Sequence, residues 1–280
     1  MNYVSSNMSK KKRIIKAIII LLILSLLIYL VILKFKNSNK KTSQKNNNEL
    51  LISDYSYLFS RLYPNSCAVE DINVYNNLDK LDNDIKIEVA ISSLSLNKVE
   101  INEDDEYDLY NDEKIDYDWI KDFKEFGVEA KDVDTKVKEI FGENTVVHHQ
   151  STEDVIYDKT TKVYINPPHG CGNYNNSWFQ TIDKVTKEKD EINIYTIAGS
   201  LINQTSNNIK ICYDDNYKEL DEKTCILLNQ INKKYMTKDN DLKYDYEKYA
   251  VDNKEKFNQY KYIFIKENNN YIFKKMEKIK

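Results

Sequence analysis

The sequence predicts an α+β protein: an N-terminal transmembrane helix, then helices packed on a curved antiparallel sheet. Three observations carry that prediction. Residues 14–33 form a predominantly apolar stretch. From residue 49 to 142 apolar residues recur at helical spacing. Beyond 142 the period changes to two, and Asn/Asp/Lys-rich turn signals separate the runs.

The first element is the apolar stretch. Ile14 to Leu33 is interrupted only by Lys16, Ser25 and Tyr29. As a helix it would span about 30 Å, the hydrocarbon thickness of a bilayer. A cleaved signal peptide shares the basic start Lys10-Lys11-Lys12-Arg13. Its apolar region is shorter, however, and ends at a small-residue cleavage site. Here the run meets Lys34-Phe35-Lys36, so an uncleaved signal anchor is expected. Basic residues on the two sides nearly balance. The short basic tail 1–13 sets the expected orientation: N-terminus cytoplasmic, bulk of the chain outside. Residues 34–49 are Asn-, Lys- and Ser-rich and read as a polar linker.

Residues 49–63 place Leu51, Tyr55, Leu58 and Leu62 on one helical stripe, ended by Pro64. Residues 73–96 fit both periods, since Ile85, Ile87, Val89 and Ile91 alternate. The pattern begins upstream at Leu78, which favours a helix. Residues 103–118 hold nine acids, one Lys and no Gly, so a solvated loop is expected rather than a calcium loop. Residues 132–142 read as a helix capped by Asp132, with Val133, Val137, Ile140 and Phe141 on one face and Gly142 past its end. Strands are expected at 145–149, 155–157, 162–165, 178–185, 192–201, 209–213, 260–265 and 271–279. In the last hairpin Tyr262 and Phe264 should face Tyr271 and Phe273. Residues 226–235 and 244–253 read as a helical insert. The expected division is a mainly helical subdomain, 50–126, followed by a helix-plus-sheet domain, 127–280.

Composition removes several chemistries. The excess of Asn, Lys and Tyr reads as the mark of an AT-rich genome. Five glycines cannot easily furnish phosphate-cradling loops, and two arginines cannot furnish anion clamps. The net charge of -4 conceals +9 in residues 1–49 and -13 in the remainder. An acidic body repels phosphates, so no nucleic-acid partner is expected; the basic head faces the lipid bilayer.

The most unusual segment is Pro167-Pro168-His169-Gly170-Cys171-Gly172, followed by Trp178. It holds two of the three prolines and two of the five glycines. It is the candidate binding loop at the rim of the sheet; the alternative is a tight loop pinned by a disulfide. Four cysteines in an exported chain allow Cys212–Cys225 with Cys67–Cys171, against free buried thiols. No metal site or cofactor is expected. His148 and His149 would point to opposite faces of a strand, and His169 with Cys171 lacks further ligands. Lys223-Thr224-Cys225 is similar to the Thr-x-Thr-Cys strand of sortases, but these need a downstream Arg and the last one here is Arg61. No catalytic residue is assigned.

Val137-Lys138-Glu139-Ile140-Phe141-Gly142, Tyr157-Asp158, Tyr164, Tyr260-Lys261-Tyr262-Ile263-Phe264 and Tyr271 to Ile279 carry one resemblance. Over the last 150 residues or so, the chain resembles uncharacterised single-pass membrane-anchored proteins of AT-rich Gram-positive bacteria. The resemblance implies an anchored envelope protein and transfers no activity. The layout is also similar to cystatin-like or nuclear-transport-factor-like cones. The expected function is a membrane-tethered, extracytoplasmic, non-catalytic envelope protein that binds a ligand, wall polymer or protein partner. Two alternatives stay open: a tethered hydrolase using a thiol or paired carboxylates, and an accessory subunit of a membrane complex.

Overall fold

The computed structural model describes residues 48–63, 75–101, 107–108, 114–115, 120–152, 154–166, 176–203, 209–215, 222–232, 235 and 245–280. The apolar run 14–33, the linker up to 47, Cys67, the 167–172 loop with Cys171, and the turn at 206–208 lie outside the described residues. So does most of the acidic stretch. Among the described residues, no helix is long and apolar enough to cross a membrane.

Helix α1 covers residues 48–60. It and the turn after it bury Leu58 and Leu62 completely and lay Leu51, Ile52, Tyr55, Phe59 and Tyr63 on the same core. A 3-10 turn, Leu78–Lys80, leads into α2, Asn83–Ser92. Asp82 caps α2 by accepting from the Asp84 N–H at 3.2 Å. Ile85, Ile87, Glu88, Val89, Ala90 and Ile91 are all buried. A helix enclosed on most sides has no one-sided stripe, so its sequence can imitate strand alternation.

Helix α3 is Ala130–Phe141. It begins before the predicted Asp132, which lies in the first turn instead of capping it. A carboxylate there still suits the positive end of the helix dipole. The face Val133, Val137, Ile140 and Phe141 is buried as the spacing predicts. Gly142 then takes φ 104°, and its N–H donates to the Lys138 carbonyl at 2.9 Å. A Cβ at Gly142 would also meet Ile272 Cδ1 at 3.0 Å.

Within the acidic stretch, β1 (Tyr107–Asp108) pairs with β2 (Lys114–Ile115). Strands β3 (Gly127–Glu129), β4 (Ile156–Asp158) and β5 (Val163–Ile165) form a small antiparallel sheet in the order β3-β5-β4. Its core holds Val99, Ile120, Ile156, Val163 and Ile165. No strand forms at 145–149. There the His148 N–H and carbonyl pair with the Asn83 side chain at 2.9 and 2.6 Å, in place of a neighbouring strand.

The main sheet has six antiparallel strands: β6 (Asn176–Glu188), β7 (Glu191–Asn203), β8 (Ile209–Cys212), β9 (Cys225–Leu227), β10 (Asn258–Glu267) and β11 (Asn270–Lys278). Strand β7 is its axis. One edge of β7 takes β6 along most of its length. The other edge is shared end to end, with β10 on residues 191–198 and β8 on residues 200–203. Gly199 stands at the changeover. A Cβ there would lie 2.6 Å from the Cys212 carbonyl oxygen and 3.0 Å from the Phe179 ring, so the close approach requires glycine.

The β10–β11 turn is closed by Asn268 and Asn269 at φ 48° and 81°, the double left-handed turn that matches strand twist and that Asn tolerates. Phe264 lies opposite Phe273 as expected, but Tyr262 lies opposite Met276 and Tyr271 opposite Lys266. The two-residue turn sets Tyr271 opposite Lys266, and a bulge with Lys274 extra between the Ile263 and Phe264 partners moves Tyr262 from Lys275 to Met276. The expected helix over 226–235 is replaced by β9 and a 3-10 turn, Leu228–Gln230. The insert keeps one helix, α4 (Tyr246–Asp252), capped by Asp245 accepting from the Lys248 N–H at 2.9 Å.

Residues 51–280 form one compact unit. The main sheet is covered on both faces. Ile192, Ile194 and Ala198 of β7 join Tyr260, Tyr262, Phe264 and Phe273 in a core with α1, α2 and α3. Ile197, one step out of phase on β7, joins Phe179, Ile211, Phe257 and Tyr249 of α4 in a second core. Each buried aliphatic or Phe side chain contributes about 1.5–3 kcal/mol, which makes these two cores the main source of stability.

Candidate functional site

On the α1–α3 face of the sheet, the ends of two helices and the start of β6 enclose a cleft of about 540 Å³. Phe59, Ser60 and Tyr63 come from the end of α1 and its turn, Ser92 and Ser93 from the end of α2, and Trp178, Phe179 and Gln180 from β6. The Phe179 side chain belongs to the opposite core. The alternation of β6 therefore gives the cleft Trp178 and Gln180.

The aromatic lining is tightly packed. Tyr63 lies with its ring centre 4.8 Å from Phe59 and 5.3 Å from Trp178, at interplanar angles of 49° and 61°. Tyr262 backs Phe59 at 5.1 Å, and Tyr75 backs Tyr63 at 5.6 Å. Tilted and edge-on contacts of this kind are the favourable ones for rings with a negative face and a positive edge. A hydrogen-bonded chain runs beneath: the Tyr63 and Tyr262 hydroxyls pair, the Tyr262 hydroxyl donates to Gln180 Oε1 at 3.1 Å, and Gln180 Nε2 donates to Thr196 Oγ1 at 2.6 Å. Tyr75 donates to the Leu62 carbonyl.

Burial pushes the Tyr63 phenol well above the ordinary range, with Tyr262 and Tyr75 adding to the effect. Burial does the same for Tyr75, reinforced by Tyr262 and by Glu88. Tyr262 is raised chiefly by burial. These phenols are neutral at physiological pH and serve as hydrogen-bonding groups rather than as bases.

The three serines have their protons committed. Ser60 Oγ donates to the Ser56 carbonyl at 3.2 Å, and Ser92 Oγ and Ser93 Oγ both donate to the Val89 carbonyl at 3.0 Å. Each oxygen therefore keeps acceptor capacity only. No Lys, Arg, Asp or Glu stands among the described lining residues.

Two other constellations are structural. His149 bridges Tyr164 (Nδ1 to hydroxyl, 2.9 Å) and Asp134 (Nε2 to Oδ2, 3.3 Å), and stacks on Tyr157 at 5.3 Å. Tyr164 is fully buried and its phenol is raised by burial first, then by Tyr157. The trio pins the 145–150 segment to α3 and β5. Arg61 donates to the Tyr271 carbonyl at 3.0 Å and to Glu139 at 3.4 Å, tying the end of α1 to β11 and α3. Among the described residues, no group of three or more His, Cys, Asp or Glu is placed to hold a metal ion.

Of the residues singled out by sequence, Trp178 lines the cleft. Cys212 and Cys225 are bonded and sit directly opposite each other on β8 and β9. The Tyr213 N–H donates to the Thr224 carbonyl at 3.2 Å, which puts the cysteines at the adjacent position, where side chains across a ladder come closest. Pro167, Pro168, His169, Gly170, Cys171, Gly172 and Cys67 lie outside the described residues. Sequence reasoning missed Phe59, Ser60, Tyr63, Ser92, Ser93 and Gln180 as a group. Their available signals were an i,i+4 aromatic pair ending one helix and a Ser-Ser pair ending the next.

No protein-family model, curated protein or solved structure matches the chain.

Proposed function

We propose that the chain is a membrane-tethered, extracytoplasmic, non-catalytic binding protein of the cell envelope. The observation that carries the binding reading is the cleft between α1, α2 and β6. It joins three rings to hydroxyl acceptors, and among the described residues no Cys, His, Lys, Asp or Glu lines it. The Cys212–Cys225 bond supports an oxidising compartment. The apolar run 14–33 between basic clusters supports the tether.

In this reading residues 1–13 are the cytoplasmic tail, 14–33 the membrane helix and 34–49 the linker. Residues 50–126 and 127–280 make the exported body, whose sheet curves as in cystatin-like or nuclear-transport-factor-like cones. Pro167 to Gly172 precede β6 and Trp178 in the sequence, which keeps them the candidate binding loop of this reading. The resemblance to membrane-anchored proteins of AT-rich Gram-positive bacteria agrees with this placement.

The test is co-sedimentation of the purified full-length chain with isolated cell-envelope material, comparing the parent with Trp178→Ala and with an exposed control, Val146→Ala. Binding by the parent and the control, with loss in the Trp178 variant, is the expected result. Equal binding by all three would remove the cleft as the site.

A further inference from the structure

The lining chemistry narrows the ligand class. The three serine oxygens can accept but have spent their protons on helix carbonyls. The Gln180 amide is engaged on both its oxygen and its nitrogen. The carboxyl-terminal ends of α1 and α2 both line the cleft, and each carries the negative end of its helix dipole. Glu88 is buried one turn before Ser92 on α2, close enough to Tyr75 to act on its phenol. The body beyond residue 49 carries a net charge of -13. The helix ends and the net charge disfavour an anion and favour positive charge. Among the described residues no carboxylate lines the cleft, so these walls do not supply the hard oxygen cage that a metal ion requires. Aromatic faces, acceptor oxygens and negative potential together match a soft, organic cation.

We propose that the cleft binds an organic ammonium group, seated against the rings of Phe59, Tyr63 and Trp178 with its polarised hydrogens toward the oxygens of Ser92 and Ser93. This rests on the reading of the cleft as the binding site. The cleft exceeds the size of an ammonium alone, so the group is the charged end of a larger molecule. Quaternary and primary ammonium groups share this chemistry. A quaternary group depends on the rings, while a primary group also uses the serine acceptors.

Calorimetric titration of the full-length chain in detergent micelles tests the proposal. The probes are choline, its uncharged analogue with carbon in place of nitrogen, butylammonium, maltose and inorganic phosphate. Choline or butylammonium should bind about tenfold or more tighter than the uncharged analogue. Trp178→Ala should weaken that binding about tenfold, and Trp178→Phe should restore much of it. Ser92→Ala with Ser93→Ala should weaken butylammonium more than choline. Circular dichroism of each variant separates loss of binding from loss of fold. Equal binding of choline and its uncharged analogue, or binding of maltose or phosphate alone, overturns the ammonium assignment. If Trp178→Ala abolishes envelope binding while neither ammonium binds the parent, the ligand class is wrong and the site stands. If Trp178→Ala leaves both envelope and ammonium binding intact, the site itself is wrong.

Discussion

Removal of the Cys212–Cys225 bond gives the most quantitative test of the fold. The two cysteines are separated by 13 positions. Cross-linking a loop of about that length removes chain entropy from the unfolded state worth about 3 kcal/mol. The native state offers little to replace it. Among the described residues strand β9 pairs only with β8, over three residue pairs, and β8 holds β7 over four. The ribbon is thus a short appendage at the far end of β7. The double variant Cys212→Ala, Cys225→Ala should lose about 3 kcal/mol. For a domain of this size that lowers the melting temperature by about 6–12 °C. The assay is thermal unfolding of the full-length chain without reductant, followed by far-ultraviolet circular dichroism. Hydrogen exchange should show the loss first in β8 and β9, the least anchored part of the sheet. A melting temperature equal to the parent's would refute the reasoning, because an unbonded pair has no loop to release.

Further outcomes follow from individual contacts. Gly199→Ala must push a Cβ into the Cys212 carbonyl and the Phe179 ring, and should cost about 1–3 kcal/mol in denaturant unfolding; an unchanged midpoint would place the β10-to-β8 changeover elsewhere. Phe273→Ala removes a fully buried ring that touches Tyr75, Phe141, Tyr262 and Phe264, and should cost about 3–5 kcal/mol by the same measurement. Arg61→Met removes the guanidinium bond to the Tyr271 carbonyl and leaves Glu139 to Lys136 alone, and should cost about 1–3 kcal/mol, whereas exposed Lys98→Met should cost under about 0.5 kcal/mol. Alkaline titration tests the buried phenols. Tyr63, Tyr75 and Tyr262 have folded pKa values above the ordinary 10.0, so the unfolded chain releases their protons first. Their contribution is intact below that value and is lost as pH rises beyond it. Tyrosinate absorbance should therefore show a class of tyrosines that ionises only as the chain unfolds; free titration of all tyrosines in the folded state would contradict their burial.

Legibility in the sequence followed how each element is buried. Helix α3 was readable because it covers the core with one face and ends at Gly142, whose φ of 104° few other residues adopt. Helix α2 was ambiguous because buried residues surround it, and a wholly enclosed helix loses its period. The β10–β11 hairpin was found, but its register was not, since nothing marks Asn268 and Asn269 out from Asn270 as the turn pair, or Lys274 as the extra residue of a bulge. The sharing of one β7 edge by β10 and β8 depends on pairings across more than fifty residues, with Gly199 its one local trace. The cleft was legible only at Trp178. Its other walls come from 59–63 and 92–93, and no local pattern announces that two helix ends will line one cleft. The acceptor-only character of the serines depends on which carbonyls they reach, a property of the folded helix ends.

The central claim is an exported, tethered body, and thiol labelling on intact cells tests it most directly. A membrane-impermeant maleimide is applied to cells expressing the full-length chain, before and after an impermeant reductant. The account predicts no labelling of Cys225, the partly exposed member of the bonded pair, before reduction, and its labelling after reduction, without permeabilisation. Labelling that appears only once the membrane is opened, and needs no reductant, would place the body in the cytoplasm and contradict the account.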